Sequence, residues 1–160
     1  MMRGHQDDLM FTERFDELAA IAYRVAFRII GDRHVAEDIA QEALARAYSR
    51  WSKVSTYAHA WVARVAGNLA VDLLRKKKLP APAEQPGAEQ DAMVVLRIEL
   101  QRALQILPTR QREAMILRYL ADMPEAAVGK ALGIRPGTVK QHLHRGAEAM
   151  RSLLIDPAGG

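Results

Sequence analysis

Cysteine is absent from this chain of 160 residues, which excludes disulfides, thiol redox sensing and any Cys-ligated zinc site. Long apolar runs are missing too, none approaching the roughly 20 residues that cross a bilayer. An N-terminus carrying Asp7 and Asp8 does not look like a signal peptide, so a reducing cytoplasm is the expected setting. Catalytic signatures are equally scarce: there is no GxSxG, no Walker A loop, no HExxH and no paired His/Asp arrangement at ligand spacing. Gly129-Lys130 is not a phosphate loop, because the preceding glycine is missing and no strand leads into it. His142 and His144 lie two residues apart, on different sides of a helix, and do not make a metal pair. No cofactor, no metal and no enzymatic activity are expected.

Proline does not occur before Pro80, and then Pro80, Pro82 and Pro86 arrive together. The segment LPAPAEQPGAEQ is poor in large apolar residues and cannot bury a core, so residues 80–90 read as a linker. Charge follows the same division. Residues 1–78 carry 13 basic and 10 acidic groups, residues 79–95 carry 0 and 3, and residues 96–160 carry 10 and 6. Both flanks are basic around an acidic, Pro-rich middle. The net charge of +4 suits a polyanionic partner without identifying one.

No stretch makes a convincing strand, so the expected fold is all-α, with two small helical domains at residues 9–79 and 91–155. Three long helices account for the first domain. One runs from about Asp8 to Ile30, with Phe15, Leu18, Ala22, Val25, Ala26 and Ile29 on its apolar side. Gly31 ends it and Asp32 caps the next. That second helix reaches Trp51 and buries Val35 or Ala36, Ile39, Ala43 and Ala47. After a polar loop, SKVST, Ser55 or Thr56 caps a third helix to Lys78, burying Val62, Val65, Leu69 and Leu73. Four helices are expected in the second domain. Its first, about Asp91 to Leu107, packs Val94 or Leu96, Leu100, Ala103 and Leu107. Pro108 stops it, and Thr109 caps a helix to Leu120.

The last two helices come from PEAAVGKALGIRPGTVKQHLHR, which reads as a helix-turn-helix. Gly133 suits the left-handed residue that ends a helix, and Ile134 can plug the turn. Pro136 restarts a helix in which Val139, Leu143, Ala147, Met150 and Leu154 share one face. The other face shows Arg135, Thr138, Lys140, Gln141, His142 and Arg145, groups suited to phosphates and base edges in a DNA major groove.

Three further constellations each admit two readings. Arg64, Asn68, Asp72 and Arg75 span about 80 degrees of arc at helical pitch and run into Lys76, Lys77 and Lys78. They form either a second nucleic-acid surface or a solvated face whose cations favour the helix C-terminus. Trp51 and Trp61 flank the polar loop, either to stack on unpaired bases or to fill a core. Glu37, Asp38, Gln41 and Glu42 make a compact acidic face, either for a protein partner bearing arginines or as ordinary surface.

Taken in order, three segments resemble the extracytoplasmic-function (group four) sigma factors of bacterial RNA polymerase. GDRHVAEDIAQEALARAYSRW is similar to the family's core-binding helix, with Asp38, Gln41 and Glu42 at its D-x-x-Q-E positions. AWVARVAGNLAVDLLRKKK is similar to its promoter-melting helix at Trp61, Arg64, Asn68, Asp72 and Arg75. LPTRQREAMILRYLADMPEAAVGKALGIRPGTVKQHLHRG resembles its fourth region, including the G-T-V-K opening of the recognition helix.

The resemblance implies a division of labour. The acidic helix docks on the clamp of the largest polymerase subunit, and the second domain meets the flap. Trp61, Arg64, Asn68, Asp72, Arg75, Lys76 and Lys77 contact the −10 element, while Arg135, Thr138, Lys140, Gln141, His142 and Arg145 read the −35 element. The linker threads toward the RNA exit side. An anti-sigma protein is a further candidate partner, and the implied setting is the cytoplasm, at the nucleoid. Gly67 stands where the family usually has a bulky or basic residue and weakens its helix by ~1 kcal/mol relative to alanine. Leu44 replaces a common aromatic, and Gly146 is expected to interrupt the recognition helix. Two rivals remain from the residues alone: a helix-turn-helix regulator that binds DNA unaided, as a dimer, and an adaptor that binds only protein.

Overall fold

The computed structural model describes residues 2–76 and 88–155. Lys77 and residues 80–87 of the expected linker lie outside them. All regular structure among the described residues is helical: α1 (Met2–Ile30), α2 (Arg33–Ser49), α3 (Trp51–Val54), α4 (Ala58–Arg75), α5 (Ala88–Ile106), α6 (Thr109–Met115), α7 (Glu125–Leu132) and α8 (Pro136–Ile155). A 3-10 turn at Ser55–Tyr57 joins α3 to α4, and a π turn at Ile116–Leu120 prolongs α6.

Helices α1, α2 and α4 pack as one unit, and α5 to α8 as a second. Between α1 and α2 the chain turns as its residues require. Gly31 takes φ +76°, and the Asp32 carboxylate accepts the Val35 N–H at 2.9 Å. Leu18, Ala22, Val25, Ala26 and Ile29 are buried on α1, as their spacing predicts, but Phe15 is 42% exposed and lies outside the core. Helix α1 begins at Met2, earlier than Asp8, because no breaker strong enough to stop it precedes Asp8, whose carboxylate accepts the Tyr48 hydroxyl at 2.7 Å.

The expected polar loop SKVST is α3 and the 3-10 turn instead. Arg14 of α1 donates to the Ser55 carbonyl at 2.7 Å and approaches His59 Nδ1 at 2.9 Å, so the segment coils against α1 without a Ser or Thr cap. Pro108, not Thr109, occupies the capping position of α6, and no side chain bonds there. Leu96 is exposed whereas Ala103 and Leu104 carry the burial of α5, followed by Leu107 just beyond its end. That helix starts at Ala88, inside the span expected for the linker.

Helix α4 departs furthest from the expected pattern. Val65, Leu69 and Leu73 are half-buried, while Ala63, Ala66, Gly67, Ala70 and Val71 are fully enclosed along with Val62. The cause is that α4 is covered on two sides. One side packs on α1 and α2, and the other meets α5, α6, the π turn and α7. Small side chains let helices approach from both directions, so an amphipathic reading finds only part of the buried surface.

The two units therefore share a continuous core, stitched by α1. Arg28 donates to the Leu120 carbonyl at 2.7 Å and pairs with Asp122 at 3.3 Å, and Arg24 donates to the Ala121 carbonyl at 3.3 Å. These carbonyls end a helical segment, where orphan acceptors and the helix dipole favour cations. Gln101 of α5 returns a bond to the Ile29 carbonyl at 2.8 Å.

Candidate nucleic-acid interface

Helix α8 is presented by a tight turn. Gly133 ends α7 at φ +67°, and the Ile134 N–H reaches back to the Gly129 carbonyl at 3.0 Å. A Cβ on Gly129 would come within 3.0 Å of the Ile134 carbonyl oxygen, so a glycine there allows the turn to close. Val139 and Leu143 are buried and fix the rotation of α8. Arg135, Lys140, Gln141 and Arg145 consequently stand exposed along one side, with Thr138 and His142 half-buried beside them. His142 turns a buried Nδ1 inward, where it finds no protein partner. Gly146 does not interrupt the helix. It is buried, and Met115 fills the space where a Cβ would lie, so α8 continues to Ile155. The side chain of Leu154 lies outside the description.

Helix α4 arranges its polar residues differently. Asp72, Arg75 and Lys76 are exposed at its C-terminal end, but Arg64 and Asn68 face α6. The Asn68 amide donates to Glu113 Oε2 at 3.1 Å and accepts from Arg112 Nε at 3.4 Å. Arg64 Nε lies 3.6 Å from the same carboxylate, and Arg110 lies 3.8 Å from its other oxygen. Arg112 and Glu113 are only 6% and 5% exposed, the two charged residues buried in the described structure. Burial lowers the Arg112 pKa, with repulsion from Arg75 adding to it, and the carboxylates of Glu113 and Asp72 oppose the shift. Arg75 also reaches the Gln105 carbonyl at 3.5 Å.

Trp61 is 6% exposed and belongs to the core, so its ring offers no face for stacking in this arrangement. Trp51 is likewise core, packed edge-on against Phe11 at 5.2 Å, with the Arg14 guanidinium 5.4 Å from its ring centre. Of the two readings of the tryptophans, the core filling is the one realised.

The acidic face lies on the far side of α2. Ala36, Ile39, Ala43 and Ala47 are buried beneath it, leaving Glu37, Asp38, Gln41 and Glu42 exposed. Glu42 accepts from Arg46 one turn on at 2.9 Å. Beside Gln41 an apolar groove of about 310 Å³ is lined by Phe11, Phe15, Leu44, Ala45 and Tyr48. Its hydrogen bond to the Asp8 carboxylate raises the Tyr48 phenol pKa. Sequence reasoning did not anticipate this groove, nor the role of Glu113. The latter had a signal, since Glu113 falls at i−3 and i−4 from the apolar pair Ile116 and Leu117, a carboxylate set into a buried stripe.

Among the described residues, no group of three metal-ligating side chains converges, and no helix is long and apolar enough to cross a membrane. What the arrangement offers is binding surface: a basic helix displayed after a tight turn, a second basic helix, and an acidic patch. Residues 15–79 match the family model for Sigma-70 region 2, and residues 97–150 match that for Sigma-70, region 4. The chain is 34% identical to the ECF RNA polymerase sigma factor SigW of Bacillus subtilis, over 96% of this chain and 92% of that one. It is also 34% identical to the RNA polymerase sigma-E factor of Streptomyces coelicolor, over 82% and 78% of the two chains. The solved structure of the sigma factor RpoE from Bartonella quintana, in complex with the anti-sigma factor NepR, shares the fold. Its TM-score is 0.56 at 21% identity, covering 91% of this chain and 96% of that one.

The chain belongs to the ECF sigma factors of bacterial RNA polymerase. It directs the polymerase to promoters and is not itself an enzyme. That membership decides against the unaided regulator and against the protein-only adaptor.

Proposed function

We propose that residues 9–79 bind core polymerase and the −10 element, that residues 91–155 read the −35 element, and that residues 80–90 join them. Asp38, Gln41 and Glu42 dock on the clamp of the largest subunit, and the second domain meets the flap. Arg135, Thr138, Lys140, Gln141, His142 and Arg145 contact the −35 duplex. Arg64, Asn68, Asp72, Arg75, Lys76 and Lys77 contact the −10 region once α4 is uncovered. Trp61 anchors α4 in the core. The factor performs no chemistry. Its binding energy offsets the few kcal/mol needed to unstack a base for strand opening. An anti-sigma protein is a natural regulator for such a chain, and the working site is the cytoplasm, at the nucleoid.

The observation that carries this reading is the exposed row Arg135, Lys140, Gln141 and Arg145, held outward by buried Val139 and Leu143. Guanidinium and amide groups on such a row match acceptor and donor edges in the major groove. The test is transcription by the reconstituted holoenzyme on a panel of −35 variants, comparing the wild type with Arg145→Ala. Base reading requires a loss that depends on the sequence at one position. Equal loss on every template reduces Arg145 to a phosphate contact.

A further inference from the structure

We propose that Arg14 and His59 are positioning residues for the −10 contacts. From α1 and α4 they clamp the segment of residues 51–57 and so fix where its exposed Ser52, Lys53 and Thr56 stand. The inference rests on the reading of residues 9–79 as the unit that binds the −10 element.

The segment cannot hold its own shape. Helix α3 is four residues long and the 3-10 turn after it is three, and neither they nor the start of α4 has a side-chain cap. Helices this short are unstable by themselves, so their placement is imposed from outside. Buried Trp51 and Val54 pin one side. A single guanidinium holds the other. Arg14 donates through one terminal nitrogen to the Ser55 carbonyl at 2.7 Å and through the other meets His59 Nδ1 at 2.9 Å. It also lies 5.4 Å from the Trp51 ring centre. One planar fork from α1 therefore touches α3, the 3-10 turn and α4 together, and its fixed angles set their mutual placement.

This grip dictates the chemistry at position 59. A guanidinium has no lone pair to offer, so His59 Nδ1 must accept, and the ring proton sits on Nε2. That nitrogen lies 2.9 Å from Glu17 Oε1, without the alignment of a hydrogen bond. A carboxylate on that side favours the tautomer that leaves Nδ1 open to Arg14.

What the clamp presents is one cation and two hydroxyls, all exposed immediately before α4. Such groups contact phosphates and base edges, and a contact loop gains affinity when a rigid scaffold holds it in its bound shape. Arg14 and His59 are half-buried and spent on one another and on the Ser55 carbonyl. They act on DNA only through the segment.

The test uses the full chain in two settings. Hydrogen–deuterium exchange of the free chain reads the amides of residues 51–57. Transcription by the reconstituted holoenzyme, on a panel of −10 variants behind one −35 element, reads function. Arg14→Ala and His59→Ala remove the two halves of the clamp, His59→Asn returns an acceptor, and His59→Lys returns only donors. Circular dichroism checks that each variant keeps its helices. Should Arg14→Ala lose helix content, Arg14→Lys takes its place, keeping the charge without the fork.

Arg14→Ala, His59→Ala and His59→Lys should speed exchange across the segment. Each should cost about tenfold in transcription from the preferred −10 sequence, the worth of one hydrogen bond to a charged group. The loss should shrink on weaker −10 sequences, so discrimination among them falls. His59→Asn should restore both readouts most of the way. Unchanged exchange in the Arg14 variant overturns the clamp and leaves the −10 reading of the unit intact. Faster exchange with transcription unaltered on every template overturns the premise that this segment meets the −10 element. Equal loss on every template, or His59→Asn faring no better than His59→Lys, reduces the pair to ordinary packing and overturns their positioning role.

Discussion

Helices α4 and α8 carry the same kinds of side chain, arginine, lysine and a carboxamide over an apolar stripe, yet they meet their surroundings in opposite ways. On α8 the polar row stands in solvent, because the residues beneath it fill one core and, among the described residues, nothing covers Arg135, Lys140, Gln141 and Arg145. On α4 the equivalent row is split. Asp72, Arg75 and Lys76 remain exposed, whereas Arg64 and Asn68 are taken up by a carboxylate from the other unit. A basic helix face is therefore a capacity for binding, and the neighbour that reaches it first decides whether it is available.

The acidic face of α2 gives the harshest test, because it belongs to neither basic helix. Replacing Asp38 and Glu42 together with arginine should abolish comigration with core polymerase in gel filtration at moderate salt. Circular dichroism should be unchanged, since both residues are exposed. Retained comigration would remove α2 from the docking surface.

Ile116→Ala strikes the closure between the units. Ile116 is fully buried against Gly67, and the truncation should cost about 2–5 kcal/mol in urea unfolding. A loss well below that range would mean the two units close without this contact.

A paired experiment then separates the two basic helices directly. Asn68→Ala strips the buried Glu113 carboxylate of a donor and should lower stability by about 1–3 kcal/mol. Arg145→Ala should leave stability unchanged and instead cost ~1–3 kcal/mol of promoter discrimination. If both variants changed stability alike, the contrast between a covered and an open face would be wrong.

The smallest effect concerns how α8 is presented. Gly133→Ala places a Cβ at φ +67° and should destabilise by about 1 kcal/mol. A neutral result would show that the turn tolerates a side chain and that its geometry is less constrained.

Local rules read much of this molecule correctly. The Gly31 and Gly133 stops, the Asp32 cap and the buried stripes of α1 beyond Phe15 and of α2 follow from turn chemistry and from a period of 3.6 residues, properties carried by neighbours in the chain. So does the burial of Val139 and Leu143 on α8, where Ala147 and Met150 are half-buried. The exposed rows of α2 and α8 follow too, as the complements of those stripes. Local rules failed where a partner came from far along the chain. The SKVST segment coils because Arg14 claims the Ser55 carbonyl, and Gly146 sits inside an unbroken helix because Met115 fills its space.

The family and the promoter-directing activity were thus legible in the order and spacing of three segments, before any coordinates. Only the tertiary structure decided that Trp51 and Trp61 are core and that Gly67 is a point of close approach. It alone placed Glu113 between Arg64 and Asn68. The physical reason is that a helix's own pattern states which side chains seek burial, but not which distant surface supplies it. With two units free to associate in many ways, that choice depends on shape and on buried donors finding acceptors, quantities that exist only once both surfaces have met.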